Sequence, residues 1–296
     1  MRRFLAGANS IKNFALMLAV VAAASLAVTA SQAASTRTWV SNTGTNNAQC
    51  SVTSPCQTFA QALAATQSGG DINCLTPGDF APVEITISVT IDCEAVSNGG
   101  ISATTYGAAV VLVDTAAVVV NLIGLEINSP IANTGFGVKI TAPATVNIRN
   151  CKIYGFQDAG NGAGIFFEPN APGGILVVDN VFITNTTYGI YEQAISGNMT
   201  VRNSDISNSE VGIAVYLNGG THTGATIEQT TLAFNDYGIY VADLGDVALI
   251  GDSTVVNNSY GVYVTGGVAY SFGNNQIGGN STDISGTLTP YPGGLN

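Results

Sequence analysis

Few residues in this chain have the types that chemistry needs. Its 296 residues include one histidine, eight Lys or Arg and 19 Asp or Glu. His222 sits in the loop-like run NGGTHTG and reads as a solvated loop residue. No two aspartates are adjacent, and no Ser-His-Asp set or nucleophile elbow is readable. The acid–base candidates that remain are Lys139, Glu168 and Glu192, one cation and two carboxylates. No compact run of Asp stands at ligand spacing. Calcium is the one ion the acidity would suit, but no metal ligand can be named and no cofactor is expected. A second set suits binding: the rings of Phe166, Tyr191, Tyr216, Tyr240 and Tyr263 recur at repeat spacing.

The element that must position both sets is a repeat. From Val119 to Gly286 one unit recurs seven times. Its first anchor falls at Gly124, Asn150, Asn180, Asn203, Gln229, Asp252 and Asn274. The second falls at Gly137, Gly164, Gly189, Gly212, Gly238 and Gly261, with Asp283 in the last unit. Nine residues separate the two anchors in each of the last five units, whereas 13 to 17 lead to the next unit. Runs such as YGIYEQ, VGIAVY and YGVYVTG are rich in Ile, Val and Tyr, which suit a pleated surface. The unit is therefore strand, bend, strand, bend, strand, loop, with two tight corners and one variable one. It can bury its apolar face only by stacking on its neighbours. The expectation is an all-β parallel β-helix with three strands per coil, its coils ~4.8 Å apart. Asn185, Asn208, Asn235, Asn257, Asn258 and Asn280 recur before the Gly-apolar pair. Asn tolerates a left-handed bend, and its amide can bond to the adjacent coil.

The runs IRNCKI, VDNVFITNTTYGIY, VRNSDISNSEVGIAV and IGDSTVVNNSYGVYV resemble the right-handed β-helix of the pectin-lyase-like superfamily. The stretch from Trp39 to Cys93 looks like the N-terminal segment of secreted bacterial β-helix repeat proteins. The resemblance covers most of the exported chain and implies a single right-handed β-helix with polysaccharide as the partner. Pectate lyases of that superfamily need calcium-holding carboxylates and a cationic base, and its polygalacturonases need clustered Asp with a His. Here only Lys139 lies on the aromatic face, with Glu168 one coil away. The resulting expectation is an exported, non-catalytic protein that binds polysaccharide or another cell-surface polymer. The alternatives are a polysaccharide lyase or glycoside hydrolase, and a structural or adhesive surface protein.

Strand alternation assigns the faces. Val138, Ile165, Ile190, Ile213, Ile239 and Val262 point in. Lys139, Phe166, Tyr191, Ala214, Tyr240 and Tyr263 point out, as does Tyr216 two places beyond Ala214. Such a strip either stacks on sugar rings or stabilises the sheet by cross-strand stacking. Arg149, Asp179, Arg202 and Glu228 form another outward column, read as a charge ladder. Glu192 falls on an inward position. The expectation is that the strand ends at Tyr191 and Glu192 turns to solvent; the alternative is a buried carboxylate with a raised pKa.

Residues 1–33 read as a signal peptide: Arg2, Arg3 and Lys12, then FALMLAVVAAASLAV, then Ser31-Gln32-Ala33. No later stretch is long and apolar enough to span a bilayer. The exported part keeps 19 carboxylates and five cations, a net 5 − 19 = −14. That argues against nucleic acid as a partner. Export permits disulfides. Cys50 pairs with Cys56 across a short loop, and Cys74 with Cys93 if INC and IDC are equivalent positions of adjacent coils. Cys151 is left as a buried thiol. Ser54-Pro55 reads as the start and Gly69-Gly70 as the stop of a helix with Phe59, Leu63 and Ala64 on its apolar stripe. Such a helix would cap the first coil. Residues 34–100 would form the cap and first coils and 101–296 the β-helix proper, as one continuous domain. The location is secreted or periplasmic, with a cell-surface association open, and nothing sets the oligomeric state.

Overall fold

The computed structural model describes residues 34–131, 135–158, 160, 162–216 and 223–293. The expected signal peptide at 1–33 and His222 lie outside the described residues. Every strand pairing between coils is parallel, and the strands form three sheets of 11, nine and nine. Sheet I holds the long strands, such as Thr145–Arg149, Gly174–Asp179 and Gly197–Arg202. Sheet II holds three-residue strands, such as Lys152–Tyr154, Phe182–Thr184 and Asp205–Ser207. Sheet III holds Phe136–Ile140, Ala163–Phe167, Tyr188–Glu192, Val211–Val215, Tyr237–Val241 and Tyr260–Val264. Each coil visits the sheets in that order, so residues about 25 apart in sequence become neighbours. Ala34–Asn296 form one compact unit.

The inward columns make the core. Val138, Ile165, Ile190, Ile213, Ile239 and Val262 are all fully buried. Each such side chain contributes roughly 1.5–3 kcal/mol of burial. Two corners turn on one left-handed residue each. The first runs through Gly124, Asn150, Asn180, Asn203, Gln229 and Asp252, with φ from +48° to +66°. In the last unit Gly273, not Asn274, takes this conformation. The second corner runs through Asn185, Asn208, Phe234 and Asn257, with φ from +53° to +60°. The asparagines read as one group therefore divide. Asn185, Asn208 and Asn257 make the bend. One place on, Asn235, Asn258 and Asn280 turn inward and form an amide ladder. Asn235 Nδ2 donates to Asn258 Oδ1 at 3.2 Å, and Asn258 Nδ2 to Asn280 Oδ1 at 2.9 Å.

The second-anchor glycines stand one above the next. A methyl group on Gly189 would lie 2.5 Å from the Gly212 carbonyl oxygen, and one on Gly212 would lie 2.6 Å from that of Gly238. No side chain fits there, which is why the position is glycine.

The helix spans Phe59–Ala65. It starts later than Ser54-Pro55, because the Thr58 hydroxyl accepts the Gln61 amide at 3.2 Å and supplies the cap. Its buried stripe is Phe59, Ala62, Leu63 and Ala65, while Ala64 faces out. It ends at Ala65, and Gly69-Gly70 belong to the strand Thr66–Cys74. Phe59 packs edge-on against Phe80 of the first coils at 4.9 Å. Cys50–Cys56 and Cys74–Cys93 are disulfides, the second joining adjacent rungs of sheet I. Cys151 is free and buried, and burial pushes its thiol up to about 12. In the charge column, Arg202 bonds Asp179 at 3.0 Å, and no other pair of that column closes among the described residues. Among the described residues no helix is long and apolar enough to cross a membrane.

Candidate functional site

Sheet III carries the aromatic residues. Lys139, Phe166, Tyr191, Ala214, Tyr240 and Tyr263 are successive partners in its register. The stack holds more rings than alternation indicates. Phe136, Tyr188, Tyr237 and Tyr260 precede the second-anchor glycines and strict alternation points them inward, yet they are only half-buried. The glycine explains this. In Tyr188–Glu192, Gly189 and Ile190 both face the coil interior, so Tyr188 and Tyr191 emerge together. The signal was present in the sequence as Tyr-Gly-x-Tyr at 188–191, 237–240 and 260–263.

The rings form two clusters with Ala214 between them. Phe136, Phe166, Tyr191, Tyr188 and Tyr216 are linked by centroid distances of 4.4–6.3 Å. Tyr237, Tyr240, Tyr260 and Tyr263 are linked at 5.1–5.9 Å. Tyr237 and Tyr260 lie 7° from parallel. Phe166 is only 6% exposed. The ring faces are thus largely occupied by other rings. None of the phenol oxygens in either cluster has a protein hydrogen-bond partner among the described residues, and none is a buried unsatisfied group. What these rings turn outward is edges and hydroxyls. Burial raises the Tyr188 and Tyr237 phenols and pushes Tyr191 up to about 12, so each stays a donor and acceptor at ordinary pH.

The three acid–base candidates do not converge. Lys139 Nζ lies 4.7 Å from the Phe136 centroid, 5.2 Å from that of Phe166 and 4.0 Å from Glu168 Oε2. It is the neutralised rim of a ring stack. Glu192 is on the other side of the sheet. It continues its strand between Phe167 and Val215 and is fully buried, contrary to the expected turn to solvent. The backbone pairing that extends to Glu192 fixes its direction. Among the described residues neither carboxylate oxygen has a hydrogen-bond partner, and the backbone of Ala194 offsets the effect of burial only in part. Burial, with the nearby Asp246 charge, pushes its pKa up to about 9. Asp246 is also fully buried and is pushed up to about 6, mainly by burial, although its Oδ2 accepts the Asp243 amide at 2.7 Å. Among the described residues no three His, Cys, Asp or Glu side chains are grouped to hold a metal ion.

The right handed beta helix region family matches residues 86–223 and 127–277 of this chain. Among solved structures, the chain is similar to pectate lyase Pel9A at 12% identity and a TM-score of 0.51, covering 82% of this chain and 73% of that one. It is similar to the deglycosylated pectin methylesterase from Aspergillus niger at 14% identity and a TM-score of 0.57, covering 86% and 89%. It is also similar to a pectin methylesterase in complex with hexasaccharide VII, at 11% identity and a TM-score of 0.52, covering 77% and 80%. At these identities the likeness is one of fold. No curated protein matches the chain.

Proposed function

The chain belongs to the right handed beta helix family, and from that premise we propose that it is an exported, non-catalytic protein that binds polysaccharide or another surface polymer along sheet III. The observation that carries this reading is the run of phenol hydroxyls on Tyr188, Tyr191, Tyr216, Tyr237, Tyr240, Tyr260 and Tyr263, held on a stiff ring stack and without a protein partner among the described residues. A flexible chain of sugars loses entropy on binding, and a rigid row of donors and acceptors at coil spacing limits the cost on the protein side. The likeness in fold to pectin-acting enzymes fits a polysaccharide ligand. The two disulfides fit a secreted, periplasmic or surface location.

Binding to a glycan array tests the reading. Tyr191→Phe with Tyr240→Phe removes hydroxyls and keeps the stack; it should weaken binding as Tyr191→Ala with Tyr240→Ala does. An array blank at millimolar sugar removes the proposal. Under the lyase or hydrolase reading, Lys139 and Glu168 would be the working residues, and unsaturated or reducing ends would appear from acidic polysaccharide. A structural or adhesive role would leave both assays silent.

A further inference from the structure

A second concave surface lies at the corner between sheets I and II, built from none of the sheet III strands. A middle hollow of about 480 Å³ shares Asn150, Lys152 and Asn180 with one of about 390 Å³ and Gln229 with one of about 360 Å³, so the three run on as one groove. The groove exists because one left-handed residue turns each coil there, so no loop fills the corner. We propose that this groove binds an extended glycan bearing amino groups, a polymer of glucosamine type, independently of the tyrosine face.

Three observations choose that ligand. First, the floor offers acceptors. Asn150 Nδ2 donates to Glu94 at 2.6 Å, Asn180 Nδ2 to Asn150 at 2.8 Å and Asn203 Nδ2 to Asp179 at 2.8 Å. The amide donors are engaged with protein. The side-chain oxygens of Asn180, Asn203, Asp205 and Glu228 receive no protein donor among the described residues. A ligand rich in hydroxyl and ammonium donors satisfies them. These four residues stand on three successive coils, ~4.8 Å apart, close to the length of one pyranose unit in an extended chain.

Second, Phe182 stands in the middle hollow, 41% exposed, and no ring packs on it among the described residues. It stands between its register neighbours Lys152 and Asp205 rather than between other rings, and its exposed part suits the apolar face of a sugar ring. Third, the hollows are lined by five carboxylates, those of Glu94, Glu126, Asp205, Glu228 and Asp252, against the single cation Lys152. A polyuronate is repelled there and a polyamine sugar is drawn in. The ring and the periodic acceptors favour a glycan over a basic peptide, which would use the charge alone.

Titration calorimetry of the full chain tests this with four probes: a β-linked glucosamine oligomer, its N-acetylated form, an oligogalacturonate and an oligolysine. The glucosamine oligomer should bind tightest and weaken with salt. Phe182→Ala, and separately Asp205→Asn with Glu228→Gln, should each lower its affinity roughly tenfold. Tyr191→Ala with Tyr240→Ala should leave it unchanged, which keeps this site separable from the one on sheet III. Circular dichroism of each variant guards against misfolding, and Phe182→Leu, which keeps bulk without a ring, should lose binding as Phe182→Ala does. Equal binding of the acetylated oligomer or the oligogalacturonate overturns the proposal. So does oligolysine binding as tightly as the glucosamine oligomer, or an affinity for the latter that ignores Phe182. Absence of binding overturns it outright.

Discussion

Tyr188 and Tyr191 lie three residues apart in one strand yet on one face, their rings stacked with centroids 4.4 Å apart. Gly189 makes this geometry, because its missing side chain is what lets the strand press against the next coil. Gly189→Ala would place a methyl 2.5 Å from the Gly212 carbonyl oxygen and the same distance from Ile206 Cγ2. The expected loss is about 1–3 kcal/mol in urea unfolding. Gly224→Ala is the control, since among the described residues nothing lies within 4 Å of its Cβ position, and it should be near neutral.

Glu192 makes stability depend on pH. Its folded pKa is about 9 against an ordinary 4.5, so the folded chain holds a proton that the unfolded chain releases. Its contribution is whole below 4.5 and is lost as pH rises through about 9. The loss is at most about 1.4 kcal/mol per pH unit in that window. Glu192→Gln removes the titration and keeps the shape. The variant should melt higher than the parent at pH 8 and close to it at pH 4; an equal difference at both would rule the carboxyl out as the cause.

Phe234 occupies a left-handed bend, φ +60°, where its column otherwise has Asn or Gly, and its ring is 61% exposed. A bulky residue in that conformation costs roughly 1–2 kcal/mol. Phe234→Asn forfeits little burial and should raise the melting temperature. A fall would mean that the exposed ring contributes more packing than its exposure indicates.

The Cys74–Cys93 bridge ties the first rungs together. Replacing both cysteines by Ala should cost about 3 kcal/mol by freeing the unfolded chain. Cys151 behaves oppositely. It is 2% exposed with its thiol pushed up to about 12. Alkylating reagent should leave it untouched in the native chain and label it in denaturant. Mass spectrometry of the intact protein reads both states.

The repeating parts of this protein were legible in the sequence alone. A period near 25 with Gly and Asn at set places admits a stacked coil and little else, because only stacking buries such a unit. The inward columns, the cysteine pairs and the buried Cys151 followed from parity and spacing. What parity could not reach was any place where the backbone departs from strict alternation. Tyr188, Tyr237 and Tyr260 came to the surface because two inward residues, Gly and Ile or Val, sit side by side after them. Glu192 stayed buried because its strand paired through to its end, and pairing outweighs the solvation of one carboxylate that can hold its proton. The corner groove was marked in the sequence only by its anchor residues, with nothing to say what else meets there. Phe182, Asn203 and Asp205 meet there only because consecutive coils stack in register, and register across 23 residues is a property of the assembled sheets.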